Sequence, residues 1–241
     1  MRSWTPVAVW LPRMAIRTLT FLRSAAKPFQ AIPLVADGAA DRFKVSSEEL
    51  ALACASHNSE PAQVALVGPW LERIGCNEAD LACGPHRPLW RDLALPSETR
   101  DLTEVPRTPV ASNCSGKHTG MLTLARHRAW PVAGYEDATH AVQRRCLEEM
   151  ARWAGLSQGE IAVAVDGCAV SCFAIPLVRM AVAFARLGTS EEPSARRVAA
   201  AMMKHPDVVA GRGRLCTAAM QAYDEAVEKF LRLAAEAPEG S

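Results

Sequence analysis

The chain is poor in aromatic side chains, which make up 6% of its 241 residues and include only two tyrosines. A stacking platform for single-stranded nucleic acid needs rings at intervals along one face, and too few are present to build one. An excess of either charge is lacking too: 27 lysines and arginines stand against 26 aspartates and glutamates. With no basic block to attract phosphate, neither nucleic acid nor a membrane is an expected partner, and a small neutral or zwitterionic molecule fits better. No segment repeats at a fixed period, which excludes solenoids and propellers. Long hydrophobic runs are missing as well. The patch Val7 to Leu11 is bracketed by Pro6 and Pro12, too short to span a bilayer and followed by no small-residue cleavage site, so the expected location is the cytoplasm.

What is present is a chain with 49% hydrophobic residues, enough for one core without covalent staples. The eight cysteines are even in number, yet Cys54 and Cys146 sit inside apolar helical patterns where a reduced thiol acts as a small hydrophobe. There is no Cys-x-x-Cys or His-x-x-x-His pair. His57, His86, His127, His140 and His205 are scattered and are expected at the surface or at helix caps.

Local patterns predict a helix-rich chain. Ser46 with Glu49 forms a capping-box signature ahead of an alanine and leucine helix that ends near Ser56-His57. Gln63 to Ile74, Met121 to His127, Thr139 to Gly155, Ser194 to Lys204 and Thr217 to Ala235 carry further helical periodicity. Cys83 to Pro88 reads as a loop. Ile161 to Val165, short, β-branched and bounded by glycines, reads as a buried strand. Phe173 to Leu187 reads as one long helix with Pro176 in its first turn. No linker divides the pattern, so a single domain is expected.

Three polar groupings carry potential chemistry. Ser24 and Lys27 have the Ser-x-x-Lys spacing that places a hydroxyl and an amine on one face of a helical turn, where a desolvated, neutral lysine could activate the serine. Asn113 to Leu122 packs a thiol, two hydroxyls, an amine and an imidazole into a glycine-bearing turn ahead of an apolar run. A cysteine there, three residues before a lysine, sits in positive potential that favours thiolate. Asp166-Gly167-Cys168 ends the predicted strand, and two thiolates from different turns could hold a soft or borderline ion such as zinc. Each grouping also has a plainer reading, a solvated Ser-x-x-Lys, a capped helix, and helix packing for Cys168 and Cys172 at i, i+4, and on spacing alone the plainer reading is the commoner one for the first and the last. Cys216 is a further thiol in a polar neighbourhood.

Taken in chain order, Arg23 to Gln30, Ala53 to His57, Cys83 to His86, Asn113 to His118 and Val165 to Cys168 resemble the asparaginase II family, the rhizobial-type L-asparaginases. The resemblance runs over roughly residues 18–220. It implies an α/β (α+β), helix-rich fold similar to serine β-lactamases and penicillin-binding enzymes, and hydrolysis of L-asparagine to L-aspartate and ammonia. Ser24 and Lys27 would then be nucleophile and base, with Ser56 beside them in a hydrogen-bonded relay. Arg23, His118 and Asp166 would contact substrate. Cys114, Lys117 and Cys168 would surround zinc that orients the substrate, and Cys216 would line the site.

The ends depart from the family pattern. Residues 1–22 form an atypical segment, 23–220 the asparaginase II-like domain, and 221–241 an atypical helical tail, so the central sheet is expected to be incomplete and the chain truncated at both ends. Lys229 lies near the spacing of a second family lysine but lacks its glycine-rich context. Two alternatives to an asparaginase stay open: a zinc-binding homologue without turnover that acts only through binding, and the same chemistry on a penicillin-like acyl donor. Homodimer formation is left open too.

Overall fold

The computed structural model describes residues 17–85 and 107–223. Its chain order begins with strand β1 (Leu19–Phe21) and a 3-10 turn at Arg23–Ala26, which runs directly into helix α1 (Lys27–Ala36). Pro28 suits the first turn of α1, where an N–H would have no partner inside the helix. A short α2 (Ala39–Arg42) follows Gly38, whose φ of 84° permits the left-handed turn between them. Helix α3 (Ser47–Ala53) opens with the expected capping box: Glu49 N–H donates to Ser46 Oγ at 3.1 Å, and Ser46 N–H donates to Glu49 Oε2 at 2.9 Å. Helices α4 (Pro61–Arg73), α5 (Ser115–His127) and α6 (Ala141–Ala154) complete the first half. All overlap the periodic stretches read from sequence.

Strands β2 (Ala162–Val165) and β3 (Ser171–Pro176) then form a hairpin, followed by α7 (Leu177–Thr189), α8 (Pro193–Lys204) and α9 (Pro206–Val209). A further helical stretch covers 215–223; the rest of the helix expected to Ala235 lies outside the described residues, as do Val7 to Leu11, His86 and Lys229. The three strands make one antiparallel sheet in the order β1-β3-β2, with Phe21 opposite Ala174 and Val163 opposite Phe173. The outcome is the helix-rich α+β class that the sequence predicts. Among the described residues no helix is long and apolar enough to cross a membrane.

Three sequence expectations need correction. The strand at 162–165 exists, at the edge of the sheet and paired with β3 alone, but every residue in it is exposed because neither of its faces is covered. The helix expected from Phe173 begins instead at Leu177: residues 171–176 form the buried central strand, and Pro176 is the residue before the helix rather than one inside it. Cys168 and Cys172 therefore share no helix face, one lying in the hairpin turn and the other on β3.

The core gathers around α1, which packs against α5, α6 and α8, while α3 packs against α5 and α8. Phe29 is fully buried, edge-on to Phe184 at 5.0 Å between centroids and tilted against Trp153 at 6.2 Å. α3 and α5 meet at Gly116, where an added Cβ would lie 2.5 Å from the carbonyl oxygen of Leu52. Only glycine lets the two backbones come that close. That approach brings the N-terminus of α5 against the end of α3, and so Asn113 and Cys114 beside Ala55 and Ser56.

Candidate active site

Four segments meet at one place: the turn Arg23–Ala26, the end of α3, the N-terminus of α5 and the β2–β3 turn. Ser24 Oγ lies 3.0 Å from Ser56 Oγ, 32 positions away in the chain. Asn113 Nδ2 donates to Ser56 Oγ at 3.4 Å. Lys27 is 1% exposed, and its ammonium donates to the carbonyls of Ala55 at 2.5 Å and Asn113 at 3.4 Å. Burial pushes the Lys27 amine below its ordinary value, with Lys117 adding to the effect against the opposing pull of the Cys114 and Cys168 thiols. The amine does not hydrogen-bond Ser24 directly; the hydroxyl that Ser24 meets is that of Ser56. Ser24 itself is exposed, as a group that meets an incoming molecule must be.

The second layer is sulfur and nitrogen. Cys114 occupies the N-cap position of α5, and Lys117, one turn on, is 4% exposed. Lys117 Nζ donates to Cys168 Sγ at 3.1 Å. The Cys168 thiol hydrogen-bonds Cys114, which lowers the Cys114 pKa; burial opposes this, and Lys27 and Lys117 reinforce it. Cys168 is correspondingly raised, as the proton donor of the pair. Burial works against the charged form of Lys117, but the two thiols outweigh it and hold the ammonium charged. Asp166 closes the layer: Arg23 Nε stands 3.0 Å from its Oδ1, Gly167 N–H donates to that oxygen at 2.8 Å, and Cys168 Sγ lies 3.8 Å from Oδ2.

The structure thus brings together Arg23, Ser24, Lys27, Ser56, Cys114, Lys117, Asp166 and Cys168. His118 is fully buried on the same turn of α5, and burial, Lys117 and Lys27 hold its pKa well below the ordinary 6.5. Cys216 is exposed, and no hydrogen bond among the described residues ties it to the buried group. Arg23 and Ala169, each one residue from a candidate group, hold positive φ of 50° and 76°, conformations an L residue keeps only where its surroundings demand them.

Two residues were not expected. His57 is fully buried rather than a surface or capping residue: its Nδ1 accepts from Ser59 N–H at 3.1 Å, and its Nε2 meets Ser115 Oγ at 3.1 Å. Tyr135, from the loop between α5 and α6, is 1% exposed and hydrogen-bonds His118. His57 ends the Ala53–His57 segment, but nothing in that segment marks it as buried, and Tyr135 carries no motif. An isolated tyrosine in a polar loop gives no periodicity to read.

Among the described residues no group of three or more histidine, cysteine, aspartate or glutamate side chains is arranged to hold a metal. The donors that are present nevertheless suit a borderline-soft ion in kind, with two sulfurs from opposite turns, one favouring thiolate, and one amine between them. Zinc held there would have Cys114, Cys168 and Lys117 as its protein ligands, the lysine giving up a proton to bind.

A family model described as L-asparaginase II matches residues 12–230. No curated protein matches the chain.

Proposed function

Because the chain belongs to the L-asparaginase II family, we propose that it hydrolyses L-asparagine to L-aspartate and ammonia, with Ser24 as the nucleophile. The meeting of Ser24 with Ser56 at 3.0 Å beside a buried lysine carries this reading. Helices gathered on a small antiparallel sheet support a serine β-lactamase-like arrangement for it.

Ser24 Oγ attacks the side-chain amide carbon, and its proton passes to Ser56 Oγ. Ser56 in turn gives up its own proton, with the Lys27 amine as the final acceptor. The proton returns to the amide nitrogen, which leaves as ammonia, and water hydrolyses the aspartyl ester by the reverse route. Arg23 and Asp166 stand at the mouth of the site as an ion pair able to bind the zwitterionic head of an amino acid. Bound zinc would supply positive charge to orient the substrate, since the serine already provides the nucleophile.

Ammonia release by the purified chain tests the reading. Ser24→Ala is expected to lower turnover by about a thousandfold and Ser56→Ala by about a hundredfold. Wild-type turnover in Ser24→Ala would sink the nucleophile assignment. Stoichiometric zinc without any ammonia would favour the binding-only alternative.

A further inference from the structure

Ser56 is held by neither helix nor strand. Helix α3 ends at Ala53, and residues 55–60 belong to no regular element before α4 begins at Pro61. A loop free in water would not keep one hydroxyl within hydrogen-bond reach of another from a distant turn. Yet Ser56 Oγ meets Ser24 Oγ at 3.0 Å, and the three residues after Ser56, namely His57, Asn58 and Ser59, are all fully buried. Their side chains do what a helix or strand would. Ser59 Oγ donates to the Ala111 carbonyl at 2.6 Å, Arg214 Nη1 donates to Asn58 Oδ1 at 3.1 Å, and His57 Nε2 lies 3.1 Å from Ser115 Oγ. Ser59 keeps a φ of 65° inside this arrangement, a conformation that a serine adopts only where its contacts impose it.

The His57 contact has a fixed direction. Ser59 N–H donates to Nδ1 at 3.1 Å, so that nitrogen carries no proton, the ring is neutral, and its one proton sits on Nε2. Nε2–H therefore donates to Ser115 Oγ. Ser115 is the first residue of α5 and follows Cys114, so the ring ties the residue after Ser56 to the residue after Cys114. Before those two positions, Asn113 Nδ2 donates to Ser56 Oγ at 3.4 Å, and the Ala55 and Asn113 carbonyls both accept from the Lys27 ammonium. The chain around Ser56 is thus pinned to residues 113–115 on both sides of its hydroxyl.

We infer that His57 is a positioning residue, which by donating Nε2–H to Ser115 Oγ holds the Ser56 hydroxyl where it relays the Ser24 proton. The relay rests on the proposed serine chemistry on asparagine; the clamp does not.

Turnover, covalent labelling and nuclear magnetic resonance of the full chain test it together. His57→Asn keeps an acceptor for Ser59 but cannot reach Ser115, whereas His57→Gln carries an amide N–H close to the Nε2 position. In His57→Asn, kcat for asparagine is expected to fall about tenfold, the loss of roughly one well-made hydrogen bond, with KM within about twofold of wild type. His57→Gln should recover most of that loss. Ser115→Ala should lower kcat as much as His57→Asn does, and the double variant should be no slower than either, because both remove the same contact. A fluorophosphonate probe, which forms a bond from Ser24 Oγ to phosphorus as fluoride and the serine proton leave, should label the variants more slowly in the same order. Isotope-labelled histidine nitrogens should show His57 with Nδ1 bare and Nε2 protonated.

Additive losses in the double variant, a His57→Gln no better than His57→Asn, a KM that rises as much as kcat falls, or a His57 protonated at Nδ1 would each overturn the inference. Should the His57 variants fail to fold, the wild-type tautomer and the labelling rate of Ser115→Ala decide. A chain that releases no ammonia but takes the label at Ser24, more slowly in His57→Asn and Ser115→Ala, would count against asparagine as substrate and leave the clamp standing. A wild-type chain with neither ammonia release nor label would sink both.

Discussion

Phe21 and Phe29 lie eight positions apart and meet opposite surroundings. Phe29, on α1, is fully buried between Phe184 and Trp153, whereas Phe21, on β1, is 47% exposed. The contrast extends to whole regions. Around α1, α3 and α5 the packing is close enough to bury Lys27, Lys117, His57 and His118, while β1, β2 and α7 leave Leu19, Val163, Val165, Leu177 and Val178 open to solvent. A buried lysine is tolerable only where fixed dipoles and counter-charges surround it, and the closed region supplies these to Lys27 and Lys117. The open margin has no polar group to protect. On this contrast, Phe29→Ala should lower unfolding stability by about 4 kcal/mol and Phe21→Ala by less than about 1 kcal/mol. Urea denaturation measures both, and equal losses would erase the distinction.

The close approach of α3 and α5 offers a second test within the closed region. Gly116→Ala would drive a Cβ to 2.5 Å from Leu52. A destabilisation of about 3 kcal/mol or more is expected, and the Ser24–Ser56 and Lys27–Asn113 hydrogen bonds should break as the two helices separate. Gly188 sits in α7, followed by a threonine, where a Cβ would meet nothing within 4 Å beyond its own helix and chain neighbours. There the same exchange should stabilise by up to about 1 kcal/mol, because alanine favours a helix. The two glycines differ only in what stands beside them, and a shared sign would refute the packing argument.

Much of the closed region was legible in the sequence because its signals are local. Ser46 and Glu49 announce α3, and Ser24, Lys27, Cys114, Lys117 and Cys168 stand out as polar groups at turns. The failures have a common physical cause, which is that pairing partners are not written in a segment. The run 162–165 shows a strand but not that its faces lack a covering layer, so its exposure could not be read. Residues 171–176 are apolar enough for either a buried strand or a helix, and Pro176 suits the start of a helix in both cases. His57 and Tyr135 owe their roles to Ser115, Ala82 and His118, neighbours they meet only after the chain has folded.

Burial in the closed region also predicts a pH dependence. Desolvation pushes the fully buried Cys146 thiol from its ordinary 9.0 up to about 12. The folded chain therefore keeps a proton that the unfolded chain loses as pH rises past 9.0. The stabilisation from the neutral thiol is complete below that value and declines by about 1.4 kcal/mol per pH unit until the folded thiol ionises. Cys146→Ala should flatten the alkaline fall in stability by that one-proton slope, measured between pH values of about 9 and 11. An unchanged slope would mean that the thiol reaches water.

The smallest effect is expected at the open margin, and its smallness is the point. Val165 is 76% exposed at the end of an edge strand, and its replacement by lysine removes almost no buried area. The lysine stem can lie over Val163 and the sheet edge while its ammonium stays in water, the device by which edge strands resist pairing with other chains. Val165→Lys should leave the unfolding free energy within about 0.5 kcal/mol of wild type and reduce light scattering on heating. A loss approaching that of Phe29→Ala would show that Val165 is covered, and that the margin belongs to the closed region after all.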